Sequence, residues 1–306
     1  MHVIGGLPRT GSKLLCNILN QNPNYHATAE SPLALFVNAV SNAASICPEF
    51  RTELRHRDRG EELFRRSVRA FQKVWHQQQP GIVIFDKSHL WTMDPLLHSS
   101  IWTGGKMICC VRDLRAIFAS FEKHHRKNAF LDDLPPQARK TITARALWFF
   151  SPQGTIGAPL AGVQDILRRN LHKSIDGHPA SVFFWKYEEF IENPEAYMAA
   201  LYEFLGDEQF AHNYADVENV HDDPDWQHMW KVPHESGGPV KTPEEIEDEW
   251  HPYFAPGVGE AIQFRFGWYN EQFGYPTPVG IGADYDLFVD PDAELARLRR
   301  KYLPDC

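Results

Sequence analysis

The chain has 306 residues, 43% of them hydrophobic and 13% aromatic, enough to bury one large core or two small ones, and its charge is too mixed for a disordered protein; one globular domain is expected. Its formal charge of −9 is unevenly divided: residues 1–150 carry 20 Lys and Arg against 12 Asp and Glu, a net of +8, and residues 151–306 carry 11 against 28, a net of −17. That balance argues against a nucleic-acid partner, draws an anionic cofactor to the first half, and suits a neutral or basic acceptor passing the second.

The chain opens on a short apolar strand, Val3-Ile4-Gly5, followed by the loop Gly6-Leu7-Pro8-Arg9-Thr10-Gly11-Ser12-Lys13 and an apolar helix pattern through Leu14, Leu15, Ile18 and Leu19. Strand, glycine loop and helix form a phosphate cradle, because loop N–H groups and the helix N-terminus aim at one anion. Gly6 and Gly11 have Walker A spacing, but Ser12-Lys13 reverses the Lys-Ser/Thr order that an ATPase needs, and Arg9 places a cation inside the loop.

Glu30 follows on a connector before Pro32 and an apolar stretch from Leu33 to Ile46, and residues 51–78 read as one or two charged amphipathic helices. Gly81 to Phe85 is a continuous apolar run ending in Asp86-Lys87-Ser88-His89, a buried parallel strand whose last residues are expected to face the cradle. A third strand, Lys106 to Val111, ends at Arg112-Asp113 and leads into a helix through about Lys127. Ser120 lies two turns inside that helix, so only a ligand running along it would meet both Arg112 and Ser120. The fourth strand, Ser181 to Trp185, precedes Lys186, Tyr187 and Glu188. His221, His228 and His234 lack ligand spacing and Cys partners, and no metal is expected.

Pro8-Arg9-Thr10-Gly11-Ser12 resembles the 5′-phosphosulfate loop of the sulfotransferases, Pro-(Lys/Arg)-(Ser/Thr)-Gly-(Ser/Thr). Lys87-Ser88-His89 is similar to the Lys-Thr-His of the cytosolic branch, Arg112 with Ser120 to the pair on the nucleotide 3′-phosphate, and Tyr187 to the tyrosine near the adenine. The resemblance covers about 200 residues. It implies a P-loop-like three-layer α/β domain, a mainly parallel sheet flanked by helices. It also implies 3′-phosphoadenosine 5′-phosphosulfate as co-substrate, with no metal.

The resemblance further implies that Pro8, Arg9, Thr10, Gly11, Ser12, Lys13 and Leu14 hold the 5′-phosphosulfate, with Arg9 and Lys87 as the cations on the reacting group. Two residues compete as base. His89 is preferred, since an ordinary imidazole suits neutral pH; Glu30 lies where the tyrosylprotein branch carries a catalytic Glu. Gly237 to Lys241 is placed as a lid, residues 258–274 as a closing helix, and the tail from Asp284 as an appended helix outside a domain of residues 1–283. Rival readings are a P-loop small-molecule kinase, with Asp86 as its Walker B carboxylate, and a nucleotide-binding protein without catalysis.

The acceptor is expected to be a small molecule or peptide, and a homodimer is possible through the tail. Cys16, Cys47, Cys109, Cys110 and Cys306 are scattered and odd in number, which fits reduced thiols. With no run of about 18 apolar residues and no basic leader, the expected location is cytoplasmic, without membrane insertion.

Overall fold

The computed structural model describes residues 1–55, 57–77, 79–127, 134–175, 177–221, 237–247, 249–254 and 256–277. The tail from Asp284, with Cys306, and His228 and His234 lie outside the described residues. Five strands, β1 (His2–Gly6), β2 (Tyr25–Thr28), β3 (Val83–Lys87), β4 (Met107–Val111) and β5 (Val182–Lys186), form one sheet of order β2-β3-β1-β4-β5 in which every neighbouring pair is parallel. The sheet is therefore wholly parallel. β2 was not expected: Tyr25-His26-Ala27-Thr28 is four residues long with three non-aliphatic members, and it becomes a strand by pairing with β3 at the sheet edge.

Alternation along the strands divides the core. Val3, Met107, Cys109 and Val111 belong to one apolar cluster, Ile4, Phe85, Ile108 and Cys110 to the other. The second face is covered by α1 (Ser12–Leu19), α11 (Tyr187–Glu192) and α12 (Pro194–Leu205), through Leu15, Ile18, Phe190 and Leu201. The first face packs on α2 (Leu33–Ile46), α4 (Arg57–Trp75), α7 (Leu114–Lys127), α9 (Ile142–Phe149), α10 (Gly157–Arg168), α14 (Pro256–Arg265) and α15 (Gly267–Phe273), with Leu33, Val68, Phe118, Phe149, Ile166, Ile262 and Tyr269 buried there. Short helices complete the order: α3 (Pro48–Arg55), α5 (Leu90–Met93), α6 (Pro95–Ile101), α8 (Pro136–Arg139) and α13 (Pro243–Ile246).

The amphipathic stretch at 51–78 resolves into α3 and α4, and the closing helix at 258–274 into α14 and α15, which break at Phe266. From β1 the chain runs to one side of the sheet through β2 and β3, then crosses to the other through β4 and β5. The crevice beyond the carboxyl ends of β1, β3 and β4 is thus the topological switch point, where open parallel sheets bind ligands.

Candidate functional site

Three positive φ angles shape the loop from β1 to α1: Gly6 at 98°, Arg9 at 61° and Gly11 at 78°. At Gly6 a Cβ would stand 2.1 Å from the Cys110 carbonyl oxygen, so β4 closes on the loop only because no side chain is there. At Gly11 a Cβ would meet the Tyr187 ring at 2.7 Å. The Gly6 amide donates to Thr92 Oγ1, the Leu7 amide to the Cys110 carbonyl at 2.9 Å, and Thr10 Oγ1 to the Leu7 carbonyl at 2.9 Å. Gly11 caps α1 without a side-chain bond, and α1 has no acidic residue in its first turn, so its positive end keeps its preference for an external anion. Ser12 and Lys13 are buried in that turn, and Leu14 is half-buried beside them.

Lys87 and His89 stand at the carboxyl end of β3, and His89 reaches this loop. Lys87 Nζ lies 2.5 Å from Glu30 Oε1, and the Lys87 side chain is 2% exposed against 41% for Glu30. His89 Nδ1 lies 3.1 Å from the Gly6 carbonyl oxygen. A carbonyl only accepts, so Nδ1 carries a proton, and in the neutral ring Nε2 holds the lone pair. Asp86 departs from the expectation that it faces the cradle. Alternation turns it to the opposite face from Lys87, fully buried, where Oδ1 accepts from Trp91 Nε1 at 2.7 Å and Oδ2 stands 2.9 Å from His76 Nε2. A Walker B role for Asp86 is thereby overturned.

From the other side, Arg112 is 8% exposed and packs its guanidinium 4.3 Å from the centroid of the Tyr187 ring. Arg112 Nη1 donates to the Arg9 carbonyl at 2.9 Å, and Nη2 donates to Glu249 Oε1. Glu249 also lies 3.4 Å from Lys241 Nζ, which brings the segment placed as a lid to Arg112 through a carboxylate. Gly238 is bridged to Val217. Ser120 Oγ accepts from Arg9 Nε at 3.0 Å, and Arg9 Nη2 lies 2.6 Å from His124 Nε2. Arg112 and Ser120 each bond to Arg9, the first through its carbonyl and the second through its side chain.

Tyr187 forms the floor of the site, buried between Gly11 and Arg112 at the start of α11. Its neighbour Glu188 accepts from the Asp113 amide at 2.9 Å and from Tyr275 Oη at 2.8 Å. Burial lifts the Glu188 carboxyl above its ordinary range, and those two bonds work against the rise. This clamp ties β4, α11 and the end of α15 together beneath Arg112. His221 lies 3.1 Å from Asn20 Nδ2. Among the described residues no group of three His, Cys, Asp or Glu could hold a metal ion.

Residues 2–273 match the sulfotransferase domain family. The chain belongs to that family. No curated protein sequence matches it. Among solved structures, the sulfotransferase domain of the curacin biosynthetic pathway aligns with a TM-score of 0.53 at 14% identity, over 91% of this chain and 98% of the other. The sulfotransferase domain of the Synechococcus PCC 7002 olefin synthase aligns with a TM-score of 0.51 at 18% identity, over 91% and 95%. At such identities the structures show the shared fold: a parallel five-stranded sheet flanked by helices.

Glu249 and His124 were not legible as site residues. His124 follows Ser120 by four positions in an expected helix, a spacing that puts both on one face. Glu249 carries no such signal, since it is one acid among the 28 of the second half. Among the described residues no helix is long and apolar enough to cross a membrane.

Proposed function

We propose that this sulfotransferase moves the sulfuryl group of 3′-phosphoadenosine 5′-phosphosulfate to a hydroxyl or amine of a small-molecule or peptide acceptor. The observation that carries the reading is the junction at Arg9: its carbonyl is held by Arg112 and its guanidinium by Ser120, so the expected 3′-phosphate residues and the expected 5′-phosphosulfate loop form one bonded unit. The fit is further supported by the glycine-lined turn, the uncapped start of α1 and the buried cations Lys13, Lys87 and Arg112. The co-substrate would be held by the amides of residues 10–14, with Arg9 and Lys87 on its sulfate end and Arg112 and Ser120 on its 3′-phosphate; bound there, it supplies an activated sulfuryl group.

In the transfer the bond from sulfur to the bridging phosphate oxygen breaks while a bond to the acceptor atom forms. The acceptor's proton passes to His89 Nε2, whose lone pair is set by the Nδ1 contact to Gly6. Glu30 serves as the counter-ion that fixes Lys87. Positioning and fixed charge carry the acceleration, as in phosphoryl transfer. A simple match of Arg9, Lys13, Lys87 and Arg112 against a cofactor of about four negative charges is altered by Glu30 and Glu249, which already neutralise two of the cations. Glu249 thus competes with the 3′-phosphate for the charge of Arg112.

The test is a thermal-shift comparison of adenosine 3′,5′-bisphosphate against ATP with Mg²⁺. The bisphosphate at 100 times its Kd should add about 2.7 kcal/mol of stability, with or without EDTA. A larger shift with ATP and Mg²⁺, or a bisphosphate shift abolished by EDTA, would replace this reading with a kinase.

A further inference from the structure

We infer that His124 is a positioning residue for the reaction, acting through Arg9. The inference rests on the donor reading above and adds to it a group outside the family-like motifs.

The argument begins at the Arg9 backbone. A non-glycine residue in the left-handed region is disfavoured by about 1–2 kcal/mol, so neighbouring bonds must hold Arg9 in its φ of 61°. Arg112 holds the main chain through the Arg9 carbonyl at 2.9 Å. The side chain is held from α7, where Ser120 and His124, four residues apart, stand one above the other on the same face. Ser120 Oγ meets Nε and His124 Nε2 meets Nη2, so one helix face grips two nitrogens of the planar guanidinium and fixes its orientation.

The chemistry of this grip is one-sided. A guanidinium is always protonated and only donates, so Ser120 Oγ and His124 Nε2 both accept, and His124 is neutral. Ser120 spends a lone pair on Arg9, and a hydroxyl still has its own proton to give, so it can serve Arg9 and a 3′-phosphate together. His124 has a single acceptor nitrogen at that end and gives it to Arg9. It is 7% exposed, which leaves little room for the ring to swing away. His124 thus sets where the positive charge of Arg9 lies over the cradle, without touching the transferred group itself.

The test is a double-mutant cycle on the full-length chain, read by calorimetric binding of adenosine 3′,5′-bisphosphate and by melting temperature. His124→Ala should weaken binding about tenfold. His124→Gln, whose amide oxygen can accept from Arg9, should stay within about threefold of the unmodified protein. His124→Ala added to Arg9→Ala should cost nothing further, because the residue works through Arg9. Additive losses in the double variant, or a Gln variant as weak as the Ala variant, would overturn the inference while leaving the donor reading intact. If the unmodified protein binds ATP with Mg²⁺ and not the bisphosphate, the donor reading fails first and this inference with it.

Discussion

The two ends of the sheet carry the same kinds of residue and treat them in opposite ways. At the amino end, His2, His98 and Lys106 are folded into packing. His2 stacks on Phe85, His98 lies between Trp91 and Trp102, and Lys106 Nζ sits 4.9 Å from the Phe204 ring centroid while donating to the Phe204 carbonyl. Burial pushes the His2 imidazole down to about 3 and His98 to about 4. At the carboxyl end, His89, His124 and Arg112 are instead bonded to the loop between β1 and α1, through two carbonyls and a guanidinium, and Lys87 to the carboxylate of Glu30. The lesson is that a buried polar residue marks a site only when its partners belong to a shared ligand surface; desolvation alone marks a core.

The largest test of that contrast is at His89. Loss of a general base typically costs 10²–10⁴ in rate. His89→Ala should lower kcat by about that factor with nucleotide affinity nearly unchanged, measured as transfer from labelled donor to a phenolic probe such as p-nitrophenol. Glu30→Gln should cost less than about tenfold, since Glu30 acts by holding Lys87. The reverse ranking would make Glu30 the base.

Arg112→Ala should come next, weakening adenosine 3′,5′-bisphosphate by about 1.5–3 kcal/mol, the range for hydrogen bonds to charged groups. Discrimination between 3′-phosphorylated and plain adenosine 5′-phosphosulfate should collapse with it, and unchanged discrimination would return Arg112 to a structural ion pair.

Glu249→Gln should act with the opposite sign. Because the carboxylate occupies Arg112 and Lys241, neutralising it should tighten bisphosphate binding by about three- to tenfold, as expected for a partly exposed ion pair worth about 1 kcal/mol. Weaker binding in calorimetry would mean that Glu249 orders the seat instead of competing for it.

The smallest effect belongs to the amino end and appears in stability alone. His98 titrates at about 4 when folded and near its ordinary 6.5 when unfolded, so the unfolded chain takes up the proton first. Stability should be full above pH 6.5 and fall as the pH drops from about 6.5 to about 4. His98→Phe should flatten part of that fall in a melting-temperature series without moving nucleotide affinity. A change in affinity would mean that the two ends of the sheet communicate.

Resemblance to the sulfotransferases singled out Arg9, Lys87, His89, Arg112, Ser120 and Tyr187 as candidates, while the sequence by itself marked the cradle and four of the five strands. These rest on local signals: apolar runs long enough to be buried strands, and polar residues at their carboxyl ends, where a parallel sheet must bind its ligands. β2 escaped because Tyr25 to Thr28 gains its strand character from pairing with β3 and not from its own pattern. Asp86 was misplaced because a strand's last residues alternate faces, and which face holds His76 and Trp91 is settled by packing across more than one helix. The role of Glu249 depended on a contact spanning 137 residues that no local spacing encodes; for His124 the spacing from Ser120 gives the shared helix face, and the contact to Arg9 spans 115 residues. Tertiary structure alone decided that Arg9 is the bond between the two halves of the site, because an arginine's partners are chosen by what the fold brings within reach of its five donors.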